Sequence, residues 1–309
     1  MNSIRVRLDR FDRMRLFSIG LEYVCVFFLR ESLNDEPSLG DRRFSEGLDW
    51  RGMDHNRFQN RVAIVTGGGS GIGRATASLL ADQGAQVAVV DIRTPTAETL
   101  AEELCKKGGS AISIGCDVGS EDDVKRTVGQ VVSKWGKINI VVNNAASFVQ
   151  KGVDATSDEW QAAWKTNVLG AALFVRHTYP VMREGGGGAI VNVASVGGLV
   201  GMPNYATYNS TKAALLMLTQ CLAVDLGSYN IRVNAVSPGA TVTPALSDAV
   251  KREAISFGEF EKVMLDKQCL RRLCQPDGVA QAIAFLASDE ALSITGANLV
   301  VDAGQMAKG

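Results

Sequence analysis

The stretch "RVAIVTGGGSGIGR" (residues 61–74) decides how the rest of the chain is interpreted. An apolar run from Val62 to Val65 ends at Thr66, and five glycines then fall within residues 67–73. Glycine packs little and costs conformational entropy, so this cluster predicts a backbone that turns tightly or lies against another group. A helical pattern begins at residue 72, so the stretch predicts a strand, a tight turn and a helix.

From residue 60 onward, short apolar runs alternate with helical patterns. Continuously apolar strands separated by helices predict a parallel sheet covered on both faces, in a single-domain, doubly wound α/β fold of the Rossmann type. We expect about seven strands and assign residues 53–309 to this one domain. The strands are predicted at 62–66, 86–91, 111–116, 138–143, 189–194, 231–236 and 297–301, and the helices at 72–83, 95–107, 121–135, 158–183, 205–227 and 277–288.

A glycine-rich turn between a strand and a helix predicts a dinucleotide site. Gly67 would form the turn, Gly71 would admit the pyrophosphate, and Gly73 would let the helix pack closely on the sheet. The helix N-terminus supplies free N–H groups and a positive dipole end for the phosphates. Asp91 ends the second strand, where a carboxylate can bind ribose hydroxyls, and Asp117 follows the third strand on the adenine side.

Further motifs occur in order along the chain: "NNAA" (143–146), "TNVLG" (166–170), "IVNVAS" (190–195), "YNSTK" (208–212) and "PGATVT" (238–243). With the glycine motif, they resemble the classical short-chain dehydrogenase/reductase family over roughly residues 60–304. Two positions differ from the family pattern. Ala146 replaces the usual glycine after Asn143, Asn144 and Ala145, and Ala303 stands where the family often has glycine. The resemblance implies cofactor contacts from Gly67, Ser70, Gly71, Ile72, Gly73, Asp91, Asp117, Val118, Asn144, Ala145, Tyr208, Lys212, Pro238, Gly239, Thr241 and Thr243.

The chemistry expected of such a site is hydride transfer between a nicotinamide and a secondary alcohol or ketone, which needs a group that exchanges the hydroxyl proton. Tyr208 and Lys212 lie one helical turn apart, so we expect the lysine to lower the pKa of the phenol and make Tyr208 the acid/base. Ser195 ends the preceding strand and can donate to the substrate oxygen. By resemblance, Asn167 holds a water that links the lysine to solvent.

The cofactor is expected to be NAD, because the Asp91 carboxylate would repel a 2′-phosphate and Ser70 is not basic. Arg93 favours NADP instead, since its side chain could turn toward the 2′-phosphate of that cofactor. Arg74 should point along its own helix. A non-catalytic dinucleotide-binding sensor or scaffold is the alternative function, but such proteins usually lack the tyrosine or the lysine.

Composition excludes several other classes of function. A net charge of −1 gives no electrostatic basis for binding nucleic acid. The chain has six scattered cysteines, none in a CxxC pair, and only two histidines, and this spacing argues against a metal site. The cysteines are expected to be reduced thiols, as is usual in the cytoplasm.

Residues 1–52 differ from the rest in composition, with nine arginines and nine acidic residues. The apolar stretch 17–29 is too short to span a membrane, which takes about 20 residues. We expect a dispensable extension, or an upstream in-frame translation that the cell does not use. A membrane-anchoring helix at 17–29 is the alternative interpretation.

The segment 241–274 mixes apolar and charged residues and is expected to form a pair of amphipathic helices that close over a mostly apolar substrate. It does not identify which alcohol or ketone binds. The helix at 205–227 is apolar on more than one face, which predicts a homodimer or homotetramer.

Overall fold

The computed structural model describes residues 56–252 and 255–308, so the expectations about residues 1–52 lie outside the described residues. Seven parallel strands form one sheet in the order β3-β2-β1-β4-β5-β6-β7. The strands are β1 (Val62–Thr66), β2 (Gln86–Asp91), β3 (Ser110–Gly115), β4 (Ile140–Asn143), β5 (Gly188–Val193), β6 (Ile231–Pro238) and β7 (Asn298–Val301). The predicted doubly wound α/β fold is confirmed.

Helices connect the strands and cover both faces of the sheet. They are α1 (Gly71–Asp82), α2 (Thr94–Lys106), α3 (Glu121–Trp135), α4 (Ser157–Trp164), α5 (Gly170–Glu184), α6 (Ala206–Leu226), α7 (Pro244–Arg252), α8 (Phe257–Lys267), α9 (Pro276–Ala287) and α10 (Gln305–Lys308). No helix in the described ranges is both long and apolar enough to span a membrane.

The core has two main layers, one on each face of the sheet. Alternate residues of β1 divide between them, because successive side chains of a strand point to opposite faces. Ala63 and Val65 pack in the layer that includes α1, α2 and α9. Val62 and Ile64 pack in the layer that includes α3, α5 and α6. Burial on both faces explains why the central strands are continuous apolar runs, whereas the edge strands β3 and β7 are more exposed.

The strand order reverses between β1 and β4. β2 and β3 continue the sheet on one side of β1, and β4 to β7 continue it on the other. A crevice opens outside the carboxyl ends of the strands at such a switch point, and ligands of open α/β sheets bind there. Thr66 and Asn143, the last residues of β1 and β4, therefore mark the position of the candidate site.

The segment predicted as one helix over 158–183 is interrupted. A π-helical turn, Lys165–Leu169, separates α4 from α5. At Gly170, just after this turn, a Cβ atom would lie 2.8 Å from Cγ2 of Val118, so only glycine fits. Single π turns occur frequently at functional sites, and this one contains Asn167.

Ala303 adopts a left-handed backbone conformation, with φ of 56°. Glycine adopts this conformation without steric cost, whereas an L-residue with a Cβ does so at about 1–2 kcal/mol. The local geometry therefore gives a physical reason for a glycine at this position, and Ala303 carries the strain. The Asp302 carboxylate supports the turn by accepting hydrogen bonds from the N–H groups of Gly304 and Met306, at 2.8 and 2.7 Å.

Candidate active site

The glycine turn after β1 is built from residues with no alternative to glycine. Gly67 and Gly71 have φ values of 61° and 53°. A Cβ on Gly73 would lie 2.1 Å from the carbonyl oxygen of Gly67 and 2.5 Å from Nδ2 of Asn144. We predicted that Gly73 lets the helix pack closely on the sheet. The structure corrects this reason: because Gly73 has no side chain, α1 can pack against the glycine turn itself. The Asn144 amide also holds the turn, because Nδ2 donates to the carbonyls of Thr66 and Gly67.

The N-terminus of α1 points an uncapped set of N–H groups toward a cleft of about 490 Å³. Its N-cap residue, Ser70, makes no side-chain capping bond, and the first turn contains no acidic residue. By contrast, α4 and α8 both begin with a complete capping box. Free N–H groups and a positive dipole end suit a phosphate, so this part of the chain fits the pyrophosphate of a dinucleotide.

Asp91 lines the same cleft and is only 4% exposed. Its Oδ2 accepts from the N–H of Gly69 at 3.0 Å, and its Oδ1 accepts from the N–H of Arg93 at 2.9 Å. The Arg93 guanidinium donates from Nη2 to Oγ of Ser70 at 2.8 Å, and its Nε lies 3.6 Å from Oδ1 of Asp91. Arg74 points away from this group and pairs with Glu103 of α2.

Asp117 and Val118 line the cleft beyond Asp91. One oxygen of the Asp117 carboxylate accepts from Nζ of Lys165 at 2.9 Å, and the other accepts from the N–H of Gly119 at 2.9 Å. These interactions, with the Lys165 hydrogen bond foremost, hold the pKa of the Asp117 carboxyl below its usual value. The ion pair joins the adenine end of the cleft to the π turn that contains Asn167.

Ser195 and Tyr208 meet where β5 and α6 approach each other. Oγ of Ser195 accepts a hydrogen bond from the N–H of Gly197 at 3.0 Å, so its own hydrogen is free to be donated elsewhere. Tyr208 is 7% exposed, and burial raises the pKa of its phenol to about 12, although the hydrogen bond with Ser195 acts in the opposite direction. Ser195 and Tyr208 therefore act as a hydrogen-bonded pair.

Lys212 lies one turn beyond Tyr208 and is 2% exposed. Its Nζ donates to the carbonyl oxygen of Val193 at 2.7 Å and lies 5.6 Å from the centroid of the Tyr208 ring. Burial lowers the pKa of Lys212 to about 8. The expectation that this lysine lowers the pKa of Tyr208 is not met by the protein groups alone, because burial raises that pKa and the group that opposes the rise is Ser195, not Lys212.

Asn167 is 2% exposed and its amide is fully engaged. Oδ1 accepts from the N–H of Ser147 at 2.7 Å, while Nδ2 donates to the Ser147 carbonyl at 3.1 Å and to Oγ1 of Thr211 at 2.9 Å. Thr211 precedes Lys212 on α6. Asn167 therefore ties the segment after β4 to the helix that carries Tyr208 and Lys212, a positioning contact that spacing along the sequence does not reveal.

A second chamber, of about 230 Å³, adjoins Tyr208 and Ser195. Its wall includes Pro238, the last residue of β6, and Gly239, Thr241 and Thr243, which follow that strand. Thr243 also borders the dinucleotide cleft. Residues that the sequence did not single out complete the lining, including Phe148, Met202, Tyr205 and, from the 241–274 segment, Ala249. Leu246, Phe260 and Met264, which belong to the same 241–274 segment, also line the chamber.

The predicted site residues are thus brought together, with the exception of Gly73, which lies under the turn. Gly67, Ser70, Gly71, Ile72, Asp91, Asp117, Val118, Asn144 and Ala145 line the dinucleotide cleft. Among the described residues, no group of three or more His, Cys, Asp or Glu side chains is arranged to hold a metal ion.

Comparison with known proteins identifies the family. A family model described as enoyl-(acyl carrier protein) reductase matches residues 67–306. The cyclohexanol dehydrogenase of Acinetobacter sp. (strain SE19) is 36% identical over 82% of this chain and 98% of its own length. The 7α-hydroxysteroid dehydrogenase of Escherichia coli (strain K12) is 36% identical over 81% of this chain and 96% of its own length.

A solved structure gives the same result. It is that of a 7α-hydroxysteroid dehydrogenase complexed with NADH and 7-oxo glycochenodeoxycholic acid, with a TM-score of 0.77 and 36% identity. The match covers 81% of this chain and 96% of the other. The chain belongs to the short-chain dehydrogenase/reductase family. It is an oxidoreductase that transfers a hydride between a nicotinamide cofactor and an alcohol or ketone.

Proposed function

We propose that this protein is an NAD-dependent dehydrogenase of a small alicyclic secondary alcohol, with Tyr208 as the acid/base. The observation that carries the proposal is that Tyr208, Ser195 and Lys212 share one largely apolar chamber next to the dinucleotide cleft. Apolar walls would hold a hydrocarbon ring, and the few polar groups would orient its hydroxyl.

In the oxidation direction, Oη of Tyr208 takes the hydroxyl proton of the substrate. Ser195, whose oxygen already receives the Gly197 N–H, turns its hydroxyl hydrogen from Tyr208 to the substrate oxygen. A buried phenol with a pKa of about 12 is a poor base near neutral pH, so it needs positive charge beside it. A bound oxidised nicotinamide would supply the hydride acceptor and a positive charge that acts together with Lys212.

Lys212 and Asn167 have supporting roles in this mechanism. Lys212 remains mostly protonated at pH 7 with a pKa of about 8, and it reaches Val193 on the strand that ends beside Ser195. It is positioned to hold the nicotinamide end of the cofactor and to steady charge on Tyr208. Asn167 holds α6 and the segment at Ser147 together, and a water retained beside it would link Lys212 to solvent.

Selectivity for NAD is supported by the hydrogen bonding of Asp91. A carboxylate has about four lone-pair sites, and two of those on Asp91 are used by backbone N–H groups. One site on each oxygen remains to accept a ribose hydroxyl. A 2′-phosphate would meet the same buried carboxylate and be repelled. Arg93, the residue that could counter this repulsion, is engaged with Ser70 and Asp91.

The size of the chamber supports a single-ring substrate. Pockets for drug-sized ligands span about 300–1,000 Å³, whereas this chamber measures about 230 Å³ and must also admit the nicotinamide ring. Of the relatives described above, the cyclohexanol dehydrogenase is the one whose named substrate matches that size. We therefore favour a cyclohexanol-like alcohol over a steroid.

Two further properties belong to this proposal. An exposed apolar stripe runs along α6 through Ala213, Met217, Cys221 and Val224 at helical spacing, with Met217 and Val224 59% and 83% exposed. Its burial against a second copy supports a homodimer or homotetramer. All five cysteines in the described ranges are free thiols, which supports a reducing, cytoplasmic location.

A substrate screen tests the proposed function. Purified protein is incubated with NAD or NADP and a series of cyclic and linear secondary alcohols, and with the reduced cofactors and the matching ketones, while nicotinamide absorbance is followed. We expect the highest kcat/KM for single-ring alcohols with NAD. Binding of NADH without turnover of any compound would favour the non-catalytic sensor instead.

A further inference from the structure

Phe148 is an unusual feature of the candidate active site. It lies on the segment after β4, is 43% exposed, and stacks on the ring of Tyr208 with the centroids 5.4 Å apart and the planes at 17°. Its side chain borders both the dinucleotide cleft and the substrate chamber. A large apolar residue left partly in water is costly, so its position directly on the reactive phenol calls for a functional explanation.

The segment that carries Phe148 is anchored on both sides. The preceding residue, Ser147, is held through both backbone groups by the Asn167 amide. The following residue, Val149, accepts a hydrogen bond from Oγ1 of Thr207 at 2.6 Å, and the same hydroxyl accepts from the N–H of Lys151 at 3.1 Å. The Phe148 ring is therefore presented by a fixed backbone and not by a loosely held loop.

A substrate must approach this ring closely. Its oxygen has to come within hydrogen-bond distance of Tyr208 Oη and Ser195 Oγ, and Phe148 covers one face of Tyr208 while lining the same chamber. The carbon ring of the substrate then packs against the Phe148 side chain. A rigid wall so close to the reacting carbon limits how far a fused ring system can extend.

We propose that Phe148 is a specificity-determining residue that covers the acid/base tyrosine and sets the upper size of the substrate ring. This inference rests on the proposed function. The Phe148 side chain has two effects in this proposal. It limits the size of the substrate by lining the chamber, and it shields the Tyr208 phenol from water by stacking on its ring. Loss of the shield would let water reach the phenol, and the pKa of Tyr208, which burial now raises, would fall.

The experiment compares Phe148→Ala, Phe148→Leu and Phe148→Tyr with the wild type. The substrates are cyclohexanol and decahydro-2-naphthol, which has two fused rings. We expect the kcat/KM ratio of the two-ring to the one-ring alcohol to rise at least ~10-fold in the alanine variant, since pocket complementarity of this kind is worth 10-fold or more. Leucine should give a smaller rise, and tyrosine, the matched control that keeps the ring, should leave the ratio within about twofold.

The second measurement does not depend on any substrate. Phenolate absorbance is titrated in each variant and in the same variant carrying Tyr208→Phe, and the difference isolates Tyr208. We expect a lower pKa for Tyr208 in the alanine variant and a smaller fall in the leucine variant, which keeps part of the shield. An unchanged titration would overturn the shielding role, and an unchanged ratio of substrates would overturn the specificity role. If the wild type oxidises neither alcohol, the proposed single-ring substrate and the size limit both fail, while the titration still decides the shielding role.

Discussion

Replacing Lys212 with methionine should make the folded protein more stable at neutral pH while removing its activity. Lys212 is 2% exposed, and burial lowers its pKa from 10.5 to about 8. At about 1.4 kcal/mol per pH unit, that difference corresponds to a cost of about 3 kcal/mol for keeping the buried ammonium charged. Methionine is similar in length and carries no charge, so it removes this cost.

Part of the gain is offset by a lost hydrogen bond. Nζ of Lys212 donates to the Val193 carbonyl at 2.7 Å, and a buried acceptor that loses its donor costs about 1–3 kcal/mol. We therefore expect a net gain of about 0–2 kcal/mol in the free energy of unfolding at pH 7. For a domain of this size the gain corresponds to a rise in Tm of up to about 8 °C.

The pH dependence of the stability difference between the methionine variant and the wild type tests whether the buried charge of Lys212 is its cause. Below pH 8 the lysine is charged in both the folded and unfolded states, and the full cost is present. Between pH 8 and 10.5 the folded state binds fewer protons than the unfolded state, so the stability contributed at Lys212 rises with pH. The advantage of the methionine variant should therefore shrink across this interval and be reversed at its upper end.

The assay is urea unfolding followed by circular dichroism, at equal protein concentrations and at several pH values from 7 to about 10.5. Lys134→Met, at an exposed position of α3, is the control and should show no such dependence on pH. A methionine variant that is less stable than the wild type at pH 7, or a stability difference that does not change with pH, would refute the reasoning.

Four other predictions concern the proposed mechanism and assembly. Tyr208→Phe should bind NADH normally and lower kcat by ~10²–10⁴-fold, as measured by fluorescence titration and steady-state kinetics; near-normal turnover would exclude Tyr208 as the acid/base. The wild type should prefer NAD over NADP by at least ~10-fold in kcat/KM, or about 1.4 kcal/mol, and Asp91→Ser should erode that ratio; an unchanged ratio would remove Asp91 from the explanation. Met217→Glu should dissociate the proposed oligomer in sedimentation, because it introduces a charge into the apolar stripe on α6; a wild type that is already monomeric at micromolar concentration contradicts the proposal. Deleting residues 1–52 should leave Tm and kcat/KM essentially unchanged, and a large fall in Tm would show that the segment packs onto the domain.

The fold follows from local pattern in this chain. Strands buried on both faces need continuous apolar runs, and the runs at β1 and β2 match the observed bounds, Val62–Thr66 and Gln86–Asp91. The glycine turn is equally local, since a left-handed backbone at Gly67 and Gly71 can be inferred from glycine itself. The long helix predicted over 158–183 was wrong at its centre, where the π turn Lys165–Leu169 interrupts it. Close to this turn, Gly170 packs against Val118, a contact between positions distant along the chain that helical spacing does not reveal.

By itself, the sequence determined the class of fold and the position of the glycine turn, and it predicted the proposed catalytic residues, because each depends on residue types at short, regular spacing. Only the tertiary structure decided how those residues affect one another. It showed burial raising the pKa of Tyr208, and it brought Phe148 onto that ring from another part of the chain. Desolvation and stacking arise from packing between segments far apart in sequence, and no local pattern encodes the distance between them.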